Sequence, residues 1–537
     1  MQSAFASARQ VPFAVALAAT MCVAGCFGNA PNYEEASVAE LHDAMQRGEL
    51  TAEQLVHWYV DRIEDVDRGG PALNSIIEVN PDALTIARSL DDEWRRSGPR
   101  GPLHGIPVVL KANIDTADAM ATSAGSLVLA GHVPPRDAFL VSRLRDAGAV
   151  ILGKANLSEW ANFRSTHSTS GWSSVGGQTR NPYDPTRNPC GSSSGSAVAV
   201  AANLAVVAVG TETDGSIVCP AGINGIVGVK PTVGLVSRSG IIPIAATQDT
   251  AGPMARSVRD AAILLTAMTG RDPDDAATLA SADDRVDYAA GLAADGLAGR
   301  RIGVLRVHAG AGAPPAVAAI LAGSVDLIRA QGAEIVDDIE LDTAGVGDAE
   351  YQVLLYEFKA GLEDYLAKSN APVRSLDEII AFNEANADTV MPHFGQDILV
   401  AANSLGADDR EANAPDGLDN DAYREALAKS RDVMRAALDA TFDEHRLDAL
   451  IAITNGPAWK TDHVTGDHFS IGSSSFAAVS GYPNVSVPAG FVAGLPIGLS
   501  FIGRAWSEQA LLNLAYAFEQ ASDARRAPSA AARPAAP

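Results

Sequence analysis

The sequence predicts an α/β fold, a layered mixed β-sheet core covered by helices. Three observations carry that expectation. Apolar runs of strand length recur from Pro107-Val108-Val109-Leu110 to Gly498–Ile502. Segments of helical period lie between them, and the two alternate outright over Ile302 to Val307, Pro315 to Ala330 and Glu334 to Ile339. Of the 537 residues, 47% are hydrophobic and 20% charged, an ordinary globular balance. Length alone would suggest about two to four domains.

The first segment reads as an address. Val11 to Gly25 is uncharged, too short to span a bilayer, and follows a weakly positive start with Arg9. Val23-Ala24-Gly25-Cys26 is similar to the lipobox of bacterial lipoproteins, which implies cleavage after residue 25 and lipidation of Cys26. The expected location is therefore the bacterial envelope, on the outer membrane facing the periplasm. An ordinary signal peptide with an incidental Cys26 is the plainer alternative.

Ser37 to Asp67 has the pattern of two amphipathic helices broken at Gly48, with Thr51 and Gln54 as a capping-box pair for the second. Asn80-Pro81 opens a further helix that ends near Gly98. Pro107 to Leu110 is a short buried strand ending at Lys111. Leu140 to Ala147 is helical and Ala149 to Leu152 a strand. Ser165 to Gly195, rich in Ser, Gly, Pro and Asn, reads as a long ordered loop. A helix from Ser196 to about Leu204 leads into the strand Ala205 to Val209, and Gly210 to Gly252 is again glycine-rich. Residues 345–446 are mostly helical and more charged, as an insertion or lid would be. Asp448 to Ile453 and Gly498 to Ile502 return as strands, and Ser507 to Ala521 is a last helix. The tail, 523–537, has the composition of a disordered segment.

Charge narrows the function classes. Lys and Arg number 40 against 65 Asp and Glu, a net charge of −25. Sequence-independent nucleic-acid binding and docking of a basic face on anionic lipid both require the opposite sign. Four cysteines cannot form a disulfide framework at this length. An acidic, globular enzyme is the simplest class.

Three segments carry candidate chemistry. Asn188-Pro189-Cys190-Gly191-Ser192-Ser193-Ser194-Gly195-Ser196 is a glycine-serine loop opening a helix, but no Lys-Ser/Thr follows its last glycine, so it is not a phosphate-binding P-loop. Within it, Gly191 to Gly195 matches a nucleophile elbow centred on Ser193. That motif needs a strand immediately before it, and here a Pro/Asn/Asp loop precedes. Gly210-Thr211-Glu212-Thr213-Asp214-Gly215-Ser216-Ile217 follows a strand, at the carboxyl end where open α/β sheets place ligands, and its successive N–H groups are able to converge on one oxygen. A glycine turn with a capping serine is the bland alternative. Lys111 finishes an apolar strand. Either it snorkels to solvent, or burial lowers its pKa until the amine serves as a base.

Taken together, these segments resemble the amidase signature family over residues 35–522. Gly105 to Lys111, Asn188 to Ser196, Gly210 to Ile217, Gly225 to Thr232, Asp249 to Pro253 and Pro488-Ala489-Gly490 all fit, in order, with 24 positions between Ser192 and Ser216. Asn156 to Phe163 and Glu212 to Ser216 are most similar to bacterial peptide amidases. The resemblance implies a Ser–cis-Ser–Lys set: Ser216 as nucleophile, Ser192 as proton relay and Lys111 as base. It further implies a cis Gly191–Ser192 peptide and an oxyanion hole from the backbone of Thr213, Asp214, Gly215 and Ser216. No cofactor or metal is implied, and the expected partner is a small amide or a peptide amide.

Many relatives have glycine at the positions of Cys190, Ser194 and Asp214, and arginine at that of Val218, so a small anionic substrate is less expected. The Asp214 carboxylate is expected to face the substrate cleft. Cys190 and Cys219 flank the two serines, either as small packed residues or as a pair. Three rival readings remain: an aryl or aliphatic acylamidase, a non-catalytic binding lipoprotein, and a transfer-RNA amidotransferase subunit, which the export signal and charge oppose. A metal loop at Asp462-His463 and Asp467-His468 has no obvious third ligand.

Overall fold

The computed structural model describes residues 32–280, 286–306, 314–405 and 418–529. The signal segment and Cys26 lie outside the described residues. From Glu35 onward the chain forms one compact unit, rather than the two to four domains its length suggests.

Its centre is an eleven-stranded sheet. From edge to edge the order is Ile76–Val79, Val150–Ala155, Pro107–Lys111, Val207–Glu212, Thr250–Ala255, Val227–Lys230, Asn484–Val492, Leu495–Ile502, Ala449–Ile453, Arg301–Leu305 and Glu334–Ile339. Two parallel trios flank an antiparallel middle. Pro107–Lys111 runs parallel to both of its neighbours, with Leu110 opposite Val209. Ala449–Ile453, Arg301–Leu305 and Glu334–Ile339 form the other trio. Residues of the first trio are buried throughout Val150–Ala155, Pro107–Lys111 and Val207–Glu212, as strands covered on both faces must be.

Helices cover the sheet, and several begin where the sequence marks them. Ala52–Arg62 carries the capping box of Thr51 and Gln54, and Ala83–Ser97 ends at Gly98. Ser194–Ala201 is a short helix of Ser, Gly, Ala and Val in which every residue is buried. Its small side chains allow it to lie inside the core. A Cβ at Gly195 would run into the carbonyl oxygens of Ser75 and Asn156, so glycine is required there.

The 345–446 segment is helical as expected, comprising Val346–Lys368, Leu376–Ala385, Ala387–Val390, Asp397–Ser404, Asp421–Leu427 and Val433–His445, with residues 406–417 outside the described residues. It is built into the body rather than appended. Phe358, Leu362, Leu366 and Leu399 share one apolar cluster with Leu129, Trp160 and Phe163. The buried Arg164 pairs with Glu159 at 2.7 Å and donates to the carbonyls of Val390 and Phe394. Among the described residues no helix is long and apolar enough to cross a membrane.

Within the expected tail, Arg525 and Arg526 have partners on the body. Arg525 donates to Glu35 and to the carbonyl of Gly225, and the Arg526 guanidinium lies over Phe491. Composition alone could not show that these arginines have partners on the body. Residues 530–537 lie outside the described residues.

Candidate active site

Two adjacent parallel strands end side by side at Lys111 and at Thr211-Glu212, and the site is built on those ends. Lys111 does not snorkel. It is fully buried, with its Nζ 2.7 Å from Ser192 Oγ, 2.8 Å from Thr211 Oγ1 and 3.1 Å from the Thr211 carbonyl. Asn113 Nδ2 also donates to Thr211 Oγ1, at 3.1 Å. Burial pulls the Lys111 amine down to about 7, and the carboxylates of Asp249 and Glu212 oppose that fall only in part.

Ser192 stands just before the helix Ser194–Ala201, and the Gly191–Ser192 peptide is cis. Its carbonyl accepts from Ser158 N–H at 3.1 Å. Ser158 Oγ in turn accepts from Gly171 N–H at 2.8 Å. The following residue, Ser193, ties the two serine loops together. Its N–H donates to the Ser216 carbonyl at 3.1 Å, and its hydroxyl donates to the Thr211 carbonyl while accepting from Thr211 N–H. The Ser193 hydroxyl is thus engaged in the backbone of the strand Val207–Glu212, and a loop precedes it. Both observations remove the elbow reading.

The Thr213–Ser216 loop follows the strand Val207–Glu212. Glu212 Oε2 accepts from the N–H groups of Ile217 and Val218 at 2.7 and 2.9 Å, which folds the chain back around Ser216. Burial raises the Glu212 carboxyl, while Lys230 and those two amides favour its charged form. Gly215 has φ of 78°, and a Cβ there would come within 2.9 Å of Ser474 Oγ. Thr213 Oγ1 donates to Asp249 Oδ1 at 2.6 Å. Ser216 is 7% exposed, whereas Ser192 and Lys111 are wholly enclosed. Ser216 is therefore the end of this group that solvent reaches.

The Asp214 carboxylate is only partly buried. Its Oδ2 accepts from Ser475 Oγ at 2.6 Å, at the start of the helix Ser475–Ser480, and its Oδ1 is buried. Cys190 and Cys219 are paired in a disulfide, which links the segment before Ser192 to the segment after Ser216. In the 462–468 loop, Asp467 is spent on structure, accepting from Ser170 N–H, Ser170 Oγ, Asn188 Nδ2 and Trp459 Nε1. His463 faces Gln178 Oε1, and His468 faces Asp462.

Sequence reasoning did not find Thr211, Gln248, Asp249 or Glu350 around this site. Thr211 had a signal, since it lies in the same short run as Ser216. Asp249 had one as well, since it opens the matching run Asp249 to Pro253, whereas Gln248 and Glu350 lie in segments with no local motif.

The amidase family model matches residues 54–512. The peptide amidase of Stenotrophomonas maltophilia is 53% identical and superposes with a TM-score of 0.86, covering 92% of this chain and 99% of that one. An amidase family protein of Bacillus anthracis is 39% identical, with a TM-score of 0.83 and 92% of each chain covered. A probable amidase of Arabidopsis thaliana is 39% identical over 508 residues, 92% of this chain and 91% of its own length. With the matching layered sheet and the serine loops at its strand ends, this chain belongs to the amidase signature family, the hydrolases of amide bonds.

Proposed function

We propose that the chain hydrolyses carboxamides through an acyl-enzyme on Ser216, with Ser192 as relay and Lys111 as base, and that its substrates are C-terminal amides of peptides. One observation carries the mechanism: the enclosed Lys111 amine lies 2.7 Å from Ser192 Oγ and is pulled down to about 7. A neutral amine has two protons and one lone pair. The two oxygens of Thr211 take the protons, which leaves the lone pair for the Ser192 hydroxyl. Ser192 then gives its proton to Lys111 as it takes one from Ser216, whose oxygen attacks the amide carbon. The developing oxyanion is received by backbone N–H groups of Thr213 to Ser216, each such donor being worth roughly 3–4 kcal/mol in acyl-transfer enzymes. When the carbon–nitrogen bond breaks, the lysine proton returns through Ser192 to the leaving amine or ammonia, and water releases the acyl group.

The preference for peptide amides is supported by 53% identity to the Stenotrophomonas peptide amidase. A transfer-RNA amidotransferase subunit of Moorella thermoacetica is more distant, at 36% identity. Ammonia release from peptide amides, aryl amides and short aliphatic amides tests this. Fastest turnover of the peptide amides is expected. Preference for aryl amides would replace the substrate class, and no turnover would replace the enzyme by a binding protein. Labelling by an acyl-directed probe should fall on Ser216 and vanish in Ser216→Ala.

The same reading places the protein outside the cytoplasm, lipidated at Cys26 and held on the outer membrane facing the periplasm. The Cys190–Cys219 disulfide supports export, since such bonds persist in oxidising compartments. Mature protein should partition into detergent, and Cys26→Ser should abolish that partition.

A further inference from the structure

The loop that carries Ser216 is held by side chains from three distant parts of the chain. Thr213 Oγ1 is bound by Asp249. Gln248 Nε2 donates to the Thr213 carbonyl at 3.4 Å and to Glu350 Oε1 at 2.8 Å. Asp214 accepts from Ser475, and its carboxylate lies close enough to Glu350 to disfavour a second negative charge there. Glu350 lies in the first turns of the helix Val346–Lys368, at the start of the helical segment, and is 8% exposed.

Two carboxyl groups share a hydrogen bond only if one of them keeps a proton. Asp214 Oδ1 is buried, and among the described residues it has no hydrogen-bond partner. A proton on Glu350 would satisfy that oxygen, and Gln248 supplies a donor to Glu350 Oε1, so the acid form completes the network.

We propose that Glu350 is a positioning residue, which as a neutral carboxylic acid holds Asp214 and, with Gln248, fixes the Thr213–Ser216 loop in the geometry that receives the oxyanion. The helical segment thereby has a direct hold on the site. This rests on the reading of that loop as the oxyanion hole. Burial and the neighbouring Asp214 push the Glu350 carboxyl up to about 8. Behind Asp214 stand Glu212 and Lys230, both of which sense its charge, and behind Gln248 stands Asp249. Further along the same helix, Glu357 accepts from Thr247 and from Tyr423 of the packed helix Asp421–Leu427. Above its raised pKa, Glu350 becomes a second carboxylate against Asp214, and the hold on the loop turns to repulsion. Activity should therefore fall with rising pH beyond about 8, on top of the rise through about 7 set by Lys111.

The test measures kcat and KM across pH for wild type, Glu350→Gln, Glu350→Ala and Ser216→Ala, using the amide turned over fastest. It also follows labelling of Ser216 by a fluorophosphonate. Glu350→Gln mimics the neutral acid and should keep most of the activity at neutral pH while losing the alkaline fall. Glu350→Ala should lose about tenfold or more in kcat with KM changed less than about threefold. An alkaline fall retained in Glu350→Gln, or full kcat in Glu350→Ala, would overturn the proposal. Glu350→Gln reproduces the charge state and shape, so folding loss in the alanine variant leaves the pH profile as the deciding measurement. Activity in Ser216→Ala would instead overturn the underlying mechanism, whatever the Glu350 variants do.

Discussion

Two lysines in this molecule share one sequence signature and one degree of burial, yet only one meets a serine. Lys111 ends the strand Pro107–Lys111 and Lys230 ends the strand Val227–Lys230, and both are fully buried. Burial lowers both amines, to about 7 and about 8. The Lys230 Nζ donates to the carbonyls of Tyr482 and Pro231, at 2.7 and 3.2 Å, and the carboxylates of Glu212 and Glu508 favour its charge. A carbonyl only accepts, so Lys230 is confined to donating. Lys111 faces the hydroxyl of Ser192, which is able to give a proton as well as accept one. Burial by itself does not make a base. On the proposed mechanism, the kind of oxygen packed against the amine separates a structural lysine from a base.

That contrast can be broken most sharply at Lys111. Lys111→Met removes the amine and keeps most of the apolar stem. It should cost about 100- to 10,000-fold in kcat/KM, the range for loss of a general base. Its melting temperature should stay close to that of wild type, because the Thr211 carbonyl keeps Ser193 Oγ as a donor and Thr211 Oγ1 keeps Asn113 Nδ2. Substantial activity in this variant would return Lys111 to the structural class.

The disulfide joins the segment before Ser192 to the segment after Ser216. Cys190→Ala with Cys219→Ala opens a link between residues 29 positions apart. The expected cost is about 2–4 kcal/mol of stability, read by denaturant unfolding with and without reductant. If reductant leaves the wild-type midpoint unchanged while thiol titration shows the bond open, the link contributes nothing to stability.

Lys230→Met should behave in the opposite sense to Lys111→Met. It strands two buried carbonyls and should destabilise by roughly 1–3 kcal/mol, while kcat per folded molecule stays near wild type. Loss of kcat without loss of stability would contradict the division of roles.

The smallest expected effect is on the pH dependence of stability. Each lysine binds its proton less readily when folded than when unfolded, since its pKa falls on folding. Between the folded value, about 7 or 8, and the unfolded one near 10.4, the unfolded chain holds more protons, so stability rises with pH. Removing either lysine should flatten that rise by one proton's worth. An unchanged slope in both variants would mean that neither amine is shifted by the fold.

Much of the candidate site was legible before the fold was known. Lys111, Ser192 and Ser216 each sit in a short glycine- or apolar-rich run whose order and spacing are local properties of the chain. The layered sheet was legible as well, although Ile76–Val79, Val227–Lys230, Thr250–Ala255 and Asn484–Val492 were not marked as strands. The last two contain Pro253 and Pro488 among small residues, which weakens the strand signal, yet both pair in the middle of the sheet.

By itself, then, the sequence determined the family, the residues available for the reaction and the alternation of strand and helix, because motifs and periodicities are written in neighbouring positions. Only the tertiary structure decided that Lys111 faces a hydroxyl and Lys230 two carbonyls. It alone paired Cys190 with Cys219, and brought Gln248, Asp249 and Glu350 onto the Ser216 loop. The physical reason is that desolvation and hydrogen-bond partnership are set by whatever packs against a side chain. For Lys111 and Ser192 that partner is 81 positions away, and for Gln248 and Glu350 it is 102.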